Sequence, residues 1–170
     1  MNPNIALFVF LTLGVFACNS AQADTAQESE DLVLRLINGY WNDQDISVVD
    51  EFVAENFVNY APSNRFQGRH YTTDEMKAGR ERFRQLMPDL NYEIEDVIAE
   101  DGKVMVRATG HFRHTNHVPT RYFGEAAPSG EKVSYAIIFI YYVENGKIVK
   151  GWDLYDAMDR FNQLGVLPGP

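Results

Sequence analysis

Asp153 is the side chain in this sequence whose surroundings best suit it to catalysis. Between residues 147 and 155 the residue types alternate as in a β-strand, whose successive side chains point to opposite faces. One face carries Val149, Gly151, Asp153 and Tyr155, and the other carries Lys150, Trp152 and Leu154. Because lysine belongs on the solvent side, we expect Asp153 to point inward among apolar groups. Burial raises the pKa of a carboxyl group, which suits a general base that removes a proton from carbon at neutral pH.

Asp153 also has a structural interpretation, which the sequence leaves open. A buried carboxylate is commonly paired with a cation, and Arg107 is one such cation on another strand-like segment. A pair of this kind would neutralise the charge of Asp153 and leave it without a part in catalysis.

His114 is the second candidate for chemistry. It ends an alternating row on the segment from Lys103, and the residues of the opposite row are mostly polar. The expected inward row is Val104, Val106, Ala108, Gly110, Phe112 and His114. We therefore expect His114 at the mouth of a pocket, with His111 in the solvated row. A β-bulge would reverse this assignment, and a lone histidine also fits an ordinary core or surface position.

Several kinds of catalytic site lack their sequence signatures. His114 and His117 lie three apart without supporting carboxylates, so no metal site is expected. The sequence contains neither a G-x-S-x-G turn nor a glycine-rich phosphate loop, and its single cysteine is Cys18. The chemistry that remains needs no cofactor.

The net charge and the composition indicate which class of partner the protein binds. The formal net charge is −9, which argues against nucleic acid and against attraction to anionic lipid. Aromatic residues make up 13% of the chain and suit an apolar pocket. A small hydrophobic molecule is therefore the expected partner.

Residues 1–23 have the pattern of a signal peptide. Ile5 to Ala17 is an apolar stretch too short to span a bilayer, and Ala21-Gln22-Ala23 is typical of a cleavage site. The pattern predicts export to the periplasm or the medium, although no Lys or Arg precedes Arg35. The residues before Cys18 also resemble a lipoprotein signal, in which case a lipid on Cys18 would be the protein's one membrane contact. Otherwise Cys18 is an inert residue of the removed signal.

Capping boxes predict three helices in the remaining domain, residues 24–170. In each box a Ser or Thr is followed three residues later by an acid. The three pairs are Thr25 with Glu28, Ser47 with Asp50, and Thr72 with Glu75. The second predicted helix includes Phe52 and Val53 on its apolar face, and Pro88 ends the third.

The second half of the domain has the period of β-strands. Asp101-Gly102 and Asn145-Gly146 each lie between two strand-like segments, which indicates two hairpins joined by a loop from Thr115 to Glu131. Helices followed by strands predict an α+β fold, in which N-terminal helices cover one face of a curved antiparallel sheet. The concave side of such a sheet is where we expect a pocket.

Four segments of the chain resemble the SnoaL-like polyketide cyclases, also called ester cyclases, of the nuclear-transport-factor-2-like superfamily. They are residues 145–156 (NGKIVKGWDLYD), 161–165 (FNQLG), 88–100 (PDLNYEIEDVIAE) and 109–115 (TGHFRHT). The resemblance extends from Leu32 to Gly165. It implies a cone fold and a cofactor-free intramolecular aldol cyclisation, with Asp153 as general acid and base and His114 as its companion.

The resemblance also identifies one difference from the family pattern and a set of expected pocket residues. Many members have a His-Asp pair where this chain has Asn59-Tyr60-Ala61, so a polar partner of the catalytic group is expected to be missing. The expected pocket residues are Asn59, Tyr60, Phe112, Tyr135 and Tyr155. Tyr122 and Phe123, in the long segment 116–130, are expected to form a lid.

Three functions remain open from the sequence. The first is an enzyme that uses Asp153 on a small hydrophobic carbonyl compound, with His114, Tyr60 or Tyr155 as hydrogen-bond donor to the enolate. The second keeps the pocket but performs isomerisation, dehydration or epoxide hydrolysis. The third is a non-catalytic small-molecule-binding protein of the cell envelope. A homodimer through the sheet face that carries Trp152 is also predicted.

Overall fold

The N-terminal part of the domain forms the helices that the capping residues predict. The computed structural model describes residues 25–61, 65–100, 102–120 and 123–167. Its helices are α1 (Ala26–Ile37), α2 (Val48–Phe52), α3 (Thr73–Leu86) and α4 (Ala157–Gln163), with a π-helix over Asn38–Asn42 directly after α1. Within these ranges no helix is both long and apolar enough to cross a bilayer. The predicted signal peptide and Cys18 lie outside the described residues.

Two of the three predicted capping boxes form. Thr25 and Thr72 accept hydrogen bonds from the backbone amides of Glu28 and Glu75, over 3.2 and 3.1 Å, and both glutamates bond back to the cap. The box at Ser47 does not form. Its hydroxyl donates instead to Asp45 Oδ1 over 2.6 Å, and α2 is only five residues long. This hydrogen bond within the preceding turn competes with capping.

The sheet has six strands in the order β2-β1-β8-β7-β4-β3, and a separate two-stranded ribbon pairs β5 with β6. The sheet strands are β1 (Val53–Tyr60), β2 (Arg69–Tyr71), β3 (Asn91–Glu100), β4 (Lys103–Arg113), β7 (Lys132–Glu144) and β8 (Lys147–Tyr155). The ribbon consists of β5 (Val118–Thr120) and β6 (Gly124–Ala126). All pairings are antiparallel except that of β1 with β8. The predicted α+β fold with a curved, mainly antiparallel sheet is therefore confirmed.

Both predicted hairpins are present. Asn145 and Gly146 have φ values of 52° and 72°, as a type I′ turn requires. Gly102, between β3 and β4, has φ of 69°, and its neighbour Asp101 lies outside the described residues.

Three parts of the sequence prediction are wrong about secondary structure. Val53, expected on a helix, begins strand β1, and neither β1 nor β2 was expected. The predicted loop between the hairpins contains the β5–β6 ribbon. Both regions have irregular burial or very short strands, so they lack the clear alternation that marks a strand in sequence.

The alternation predicted for β4 is confirmed, because the row from Val104 to Phe112 is buried and continues to a buried His114. In β8 the predicted inward direction is wrong for one residue, Val149. Tyr142 pairs with Lys150 and Val143 with Ile148, so Val149 is an extra residue and Ile148 takes its inward place. Beyond this bulge, Gly151 and Asp153 keep the inward direction that we expected.

Candidate functional site

A cavity of about 380 Å³ lies between the helices and the concave face of the sheet. Its volume is in the range of small-molecule sites. The wall is largely apolar and includes Leu36, Phe57, Met76, Leu86, Ile137 and Phe139. Asp153 of β8 is one of the few charged groups on it.

The carboxyl group of Asp153 has one hydrogen-bonded oxygen and one enclosed, unpaired oxygen. Asn59 Nδ2 donates to Oδ2 over 3.0 Å, while Oδ1 is buried with no partner among the described residues. Burial raises the pKa of Asp153 to about 6, and the Asn59 hydrogen bond opposes this rise. A carboxyl group with such a pKa exchanges protons readily near neutral pH.

The expected alternative pairing of Asp153 with Arg107 is wrong. Arg107 points to the other face of β4 and forms an ion pair with Glu95 of β3. No ion pair of Asp153 occurs in the part of the chain that the structure describes. The contact that stabilises the carboxylate is therefore the hydrogen bond from the uncharged amide of Asn59.

Buried tyrosines surround the carboxyl group. The hydroxyls of Tyr92 and Tyr135 lie 3.0 Å apart, and both residues line the cavity. Burial raises the pKa of each, so both remain protonated hydrogen-bond donors. The charge of Asp153 further raises the pKa values of Tyr92 and Tyr141, which places these hydroxyls within its electrostatic reach.

Arg160 of α4 is a cavity residue that sequence reasoning missed. Only 9% of its surface is exposed, and its guanidinium carbon lies 5.4 Å from the ring centre of Tyr135 and 5.2 Å from that of Tyr155. Its Nε is buried without a hydrogen-bond partner among the described residues. A single arginine on a seven-residue helix has no pattern by which the sequence could have shown it.

Among the predicted pocket residues, Asn59, Tyr135 and Tyr155 line the cavity together with Asp153. Tyr60 and Phe112 do not. Tyr60 stacks on Trp152 with ring centres 4.3 Å apart, on the other side of the sheet from Asp153. Phe112 is buried next to Tyr135, with its ring centre 6.4 Å away, and belongs to the core behind the wall.

His114 is not at the cavity mouth, where the sequence predicted it. It is fully buried just after β4, and its Nδ1 lies 3.2 Å from Ser129 Oγ. Its backbone exchanges hydrogen bonds with Glu131 and Gly130. No residue of the inward β4 row is among those that line the cavity, and the row ends at His114 under the segment that leads into β7.

The β5–β6 ribbon closes one side of the cavity, but not through the expected lid residues. Val118 and Pro119 of β5 line it, and Val118 is almost fully buried. Phe123 packs against Phe161 with ring centres 5.5 Å apart and does not line the cavity. Tyr122 lies outside the described residues.

The described ranges contain no group of three or more His, Cys, Asp or Glu side chains that could hold a metal ion. His117 lies 3.7 Å from Glu125. His111 lies 3.5 Å from Glu93, with its other ring nitrogen 2.8 Å from Ser134 Oγ. Among the described residues, the polar groups on the cavity wall include the carboxyls of Asp153 and Glu75, the guanidiniums of Arg82 and Arg160, the Asn59 amide and several phenols.

Comparisons with known structures agree with this fold. A candidate SnoaL-like polyketide cyclase from Jannaschia sp. is 19% identical, with a TM-score of 0.71 over 86% of this chain and 98% of that chain. A candidate polyketide cyclase from Acidithiobacillus ferrooxidans is 16% identical, with a TM-score of 0.70 over 81% and 94%. The candidate hydroxylase AclR from Streptomyces galilaeus is 23% identical, with a TM-score of 0.69 over 85% and 89%.

At these identities the structural similarity establishes the fold and leaves the reaction open. A search of the curated proteins gave no match. The sequence model of the SnoaL-like polyketide cyclases, in contrast, matches residues 31–164, from α1 to the end of α4. Because this match covers most of the chain and the cone-shaped fold agrees with it, the chain belongs to the SnoaL-like polyketide cyclase family of the nuclear-transport-factor-2-like superfamily.

Proposed function

We propose that this protein catalyses proton transfer at a carbon α to a carbonyl group, in a small hydrophobic substrate and without a cofactor. The supporting observation is the Asp153 carboxyl group, which faces an apolar cavity with Oδ1 enclosed and unpaired. Because no group among the described residues donates to this oxygen, it is the atom that accepts the proton of the ligand in this proposal. Its pKa of about 6 leaves most of the group ionised at pH 7 and still basic enough to act.

The reaction begins when Asp153 removes the α-proton and the electron pair of the C–H bond forms an enolate. In an aldol-type cyclisation the enolate carbon then attacks a second carbonyl of the same molecule. A C–C bond forms, and the new alkoxide takes the proton back from Asp153. In an isomerisation the proton returns to a different carbon instead. Both sequences leave the enzyme unchanged.

The enolate oxygen needs a hydrogen-bond donor, because stabilising its charge is a large part of the catalytic effect. His114 and Tyr60, two donors expected from the sequence, do not line the cavity. In this proposal Tyr155 and the Tyr92–Tyr135 pair take their place. The two hydroxyls of the pair share one hydrogen bond, so one of their protons remains free to be donated to a substrate.

The experiment compares the wild-type protein with Asp153→Asn in a hydrophobic metabolite extract, followed by mass spectrometry. Asp96→Asn, an exposed change on β3, is the matched control. We expect the wild type and Asp96→Asn to convert a compound into an isomeric or dehydrated product, and Asp153→Asn to leave it unconverted. Turnover that survives in Asp153→Asn would overturn the role of Asp153.

The same experiment decides between this proposal and a binding protein of the cell envelope. A largely apolar cavity would also suit a carrier, and the export signal predicted over residues 1–23 is compatible with one. If no protein converts anything but all three retain the same compound, the cavity is a binding site. The reaction cannot be taken from the fold, since the similar structures bear the names of both cyclases and a hydroxylase.

A further inference from the structure

Arg160 is a buried cation on the cavity wall, whereas Glu75 and Arg82, which also line the cavity, are exposed to solvent. Asp153 and Arg160 sit on consecutive elements, Asp153 on β8 and Arg160 on α4. Arg160 contacts the ring of Tyr155, which is two residues beyond Asp153 on the same face of β8. Two residues along a strand correspond to about 6–7 Å. A small ligand can therefore reach both groups at once.

The guanidinium of Arg160 lacks a counter-charge. Among the described residues it forms no ion pair, and its buried Nε has no hydrogen-bond partner. The rings of Tyr135 and Tyr155 contribute cation–π contacts, which are weaker than a hydrogen-bonded ion pair. Leaving a nearly buried cation in this state is costly, and an anion bound beside it would offset the cost.

The ligand group that fits this position is a carboxylate. Arginine presents parallel N–H donors that match the two oxygens of a carboxylate. The tyrosine hydroxyls near Arg160 add neutral donors: the positive charge of Arg160 acts on both Tyr92 and Tyr135. The charge of Asp153 also acts on Tyr92. An anion would be attracted to the Arg160 end and repelled from the Asp153 end.

We propose that Arg160 binds a carboxylate of the ligand, so that the substrates of this cavity are small hydrophobic acids and not neutral ketones or esters. The inference rests on the proposed function only in taking this cavity as the substrate site. In this arrangement the ion pair with Arg160 orients the ligand, and the apolar body of the ligand lies against the aromatic wall. The carbon to be deprotonated then faces Asp153.

Two probes of similar shape test the proposal: 2-naphthoate, which carries a carboxylate, and 2-acetonaphthone, in which a methyl group replaces one oxygen. Their dissociation constants are measured by titration calorimetry at pH 7.5 with the purified protein. We expect the wild type to bind 2-naphthoate at least about 10-fold more tightly, as a charge-assisted pair of hydrogen bonds would require. Arg160→Gln should lose this preference and keep its affinity for 2-acetonaphthone.

Arg82→Gln is the matched control, because Arg82 also lines the cavity but is exposed to solvent. It should keep the preference for the acid, and Arg160→Lys, which keeps the charge, should keep part of it. Retained binding of 2-acetonaphthone by Arg160→Gln shows that the variant is folded. The proposal is overturned if the wild type shows no preference, if neither probe binds, or if Arg82→Gln and not Arg160→Gln removes the preference.

The outcome of this binding test can be distinguished from the outcome of the Asp153 turnover experiment. Neither probe is required to react, and Asp153→Asn should retain or increase the preference for 2-naphthoate, because a repelling charge has been removed. A failed Asp153 experiment with a retained acid preference would leave Arg160 as the anchor of a binding site. A lost acid preference with active Asp153 chemistry would leave a cyclase for neutral substrates.

Discussion

The side-chain amide of Asn59 donates a hydrogen bond to Oδ2 of Asp153 over 3.0 Å, although the two residues are 94 positions apart in the chain. The contact exists because β1 and β8 are parallel neighbours, with Asn59 opposite Gly151. From the sequence, the Asn59-Tyr60-Ala61 segment was expected to lack a polar partner for the catalytic group. The structure corrects this expectation, because Asn59 itself is that partner.

Replacing Asn59 should shift the pH dependence of activity. The Asn59 hydrogen bond lowers the pKa of Asp153, so Asn59→Leu should raise that pKa further above about 6. The acid limb of the kcat/KM profile should then move to higher pH, since this profile reports the pKa values of the free enzyme. Asn162→Leu, on the exposed side of α4, is the control and should leave the profile in place. A shift to lower pH in Asn59→Leu would contradict the prediction.

Asp153→Asn should stabilise the protein at high pH. The pKa of Asp153 is about 6 in the folded protein against 3.8 as its ordinary value, so unfolding between these pH values releases a proton. Stability conferred by the protonated carboxyl is complete below pH 3.8 and is lost as the pH rises through 6. At pH 8 the uncharged variant should therefore be more stable by on the order of 2 kcal/mol. Urea unfolding of both proteins at pH 8, 6 and 4.5 measures the difference, which should shrink as the pH falls. A difference that stays constant would contradict it.

Replacing the buried Arg80 should destabilise the protein more than replacing Arg84 on its surface. Only 1% of Arg80 is exposed, and its Nε and Nη2 donate to the carbonyl oxygens of Tyr40 and Trp41, over 2.6 and 3.0 Å, at the end of the π-helix. Arg80→Met leaves these carbonyls unpaired and should lower the free energy of unfolding by about 2 kcal/mol. Arg84→Met removes only an exposed ion pair with Glu81 and should cost at most about 0.5 kcal/mol. Equal losses in the two variants, measured by urea unfolding, would contradict this account.

Gly151→Ala should disturb the cavity wall. A methyl group at Gly151 would lie 2.7 Å from Tyr141 Cε1 and 3.1 Å from Phe57 Cζ, and both of these rings line the cavity. The rings must move, so we expect a loss of about 1–3 kcal/mol in stability. Binding of 2-acetonaphthone should weaken as well. Gly79→Ala in α3 is the contrasting change. Its added methyl group would lie 3.8 Å from Arg82 Nη2, and alanine favours a helix, so stability should rise by about 0.5–1 kcal/mol. An unchanged free energy of unfolding in Gly151→Ala would contradict this prediction, because it would mean that the two rings move at no energetic cost.

The sequence by itself determined the elements whose signals are local. Thr25 and Thr72 cap their helices with an acid three residues on, and Asn145-Gly146 forms its turn, because these contacts involve residues within one turn of one another. Alternation also placed Asp153 and the β4 row on the inward face, since successive side chains of a regular strand point to opposite faces; it was wrong for Val149, at the bulge in β8. The export signal and the homodimer stay predictions.

Only the tertiary structure decided which side chains meet. The pairing of β1 with β8 brings Asn59 to Asp153, and the packing of α4 brings Arg160 into the cavity; neither contact has a local signature. The same is true of His114, whose inward direction was predicted but whose neighbours were not, because no residue of β4 is among those that line the cavity. Side-chain direction follows from the backbone of one strand, whereas the composition of a site depends on how distant segments pack against each other.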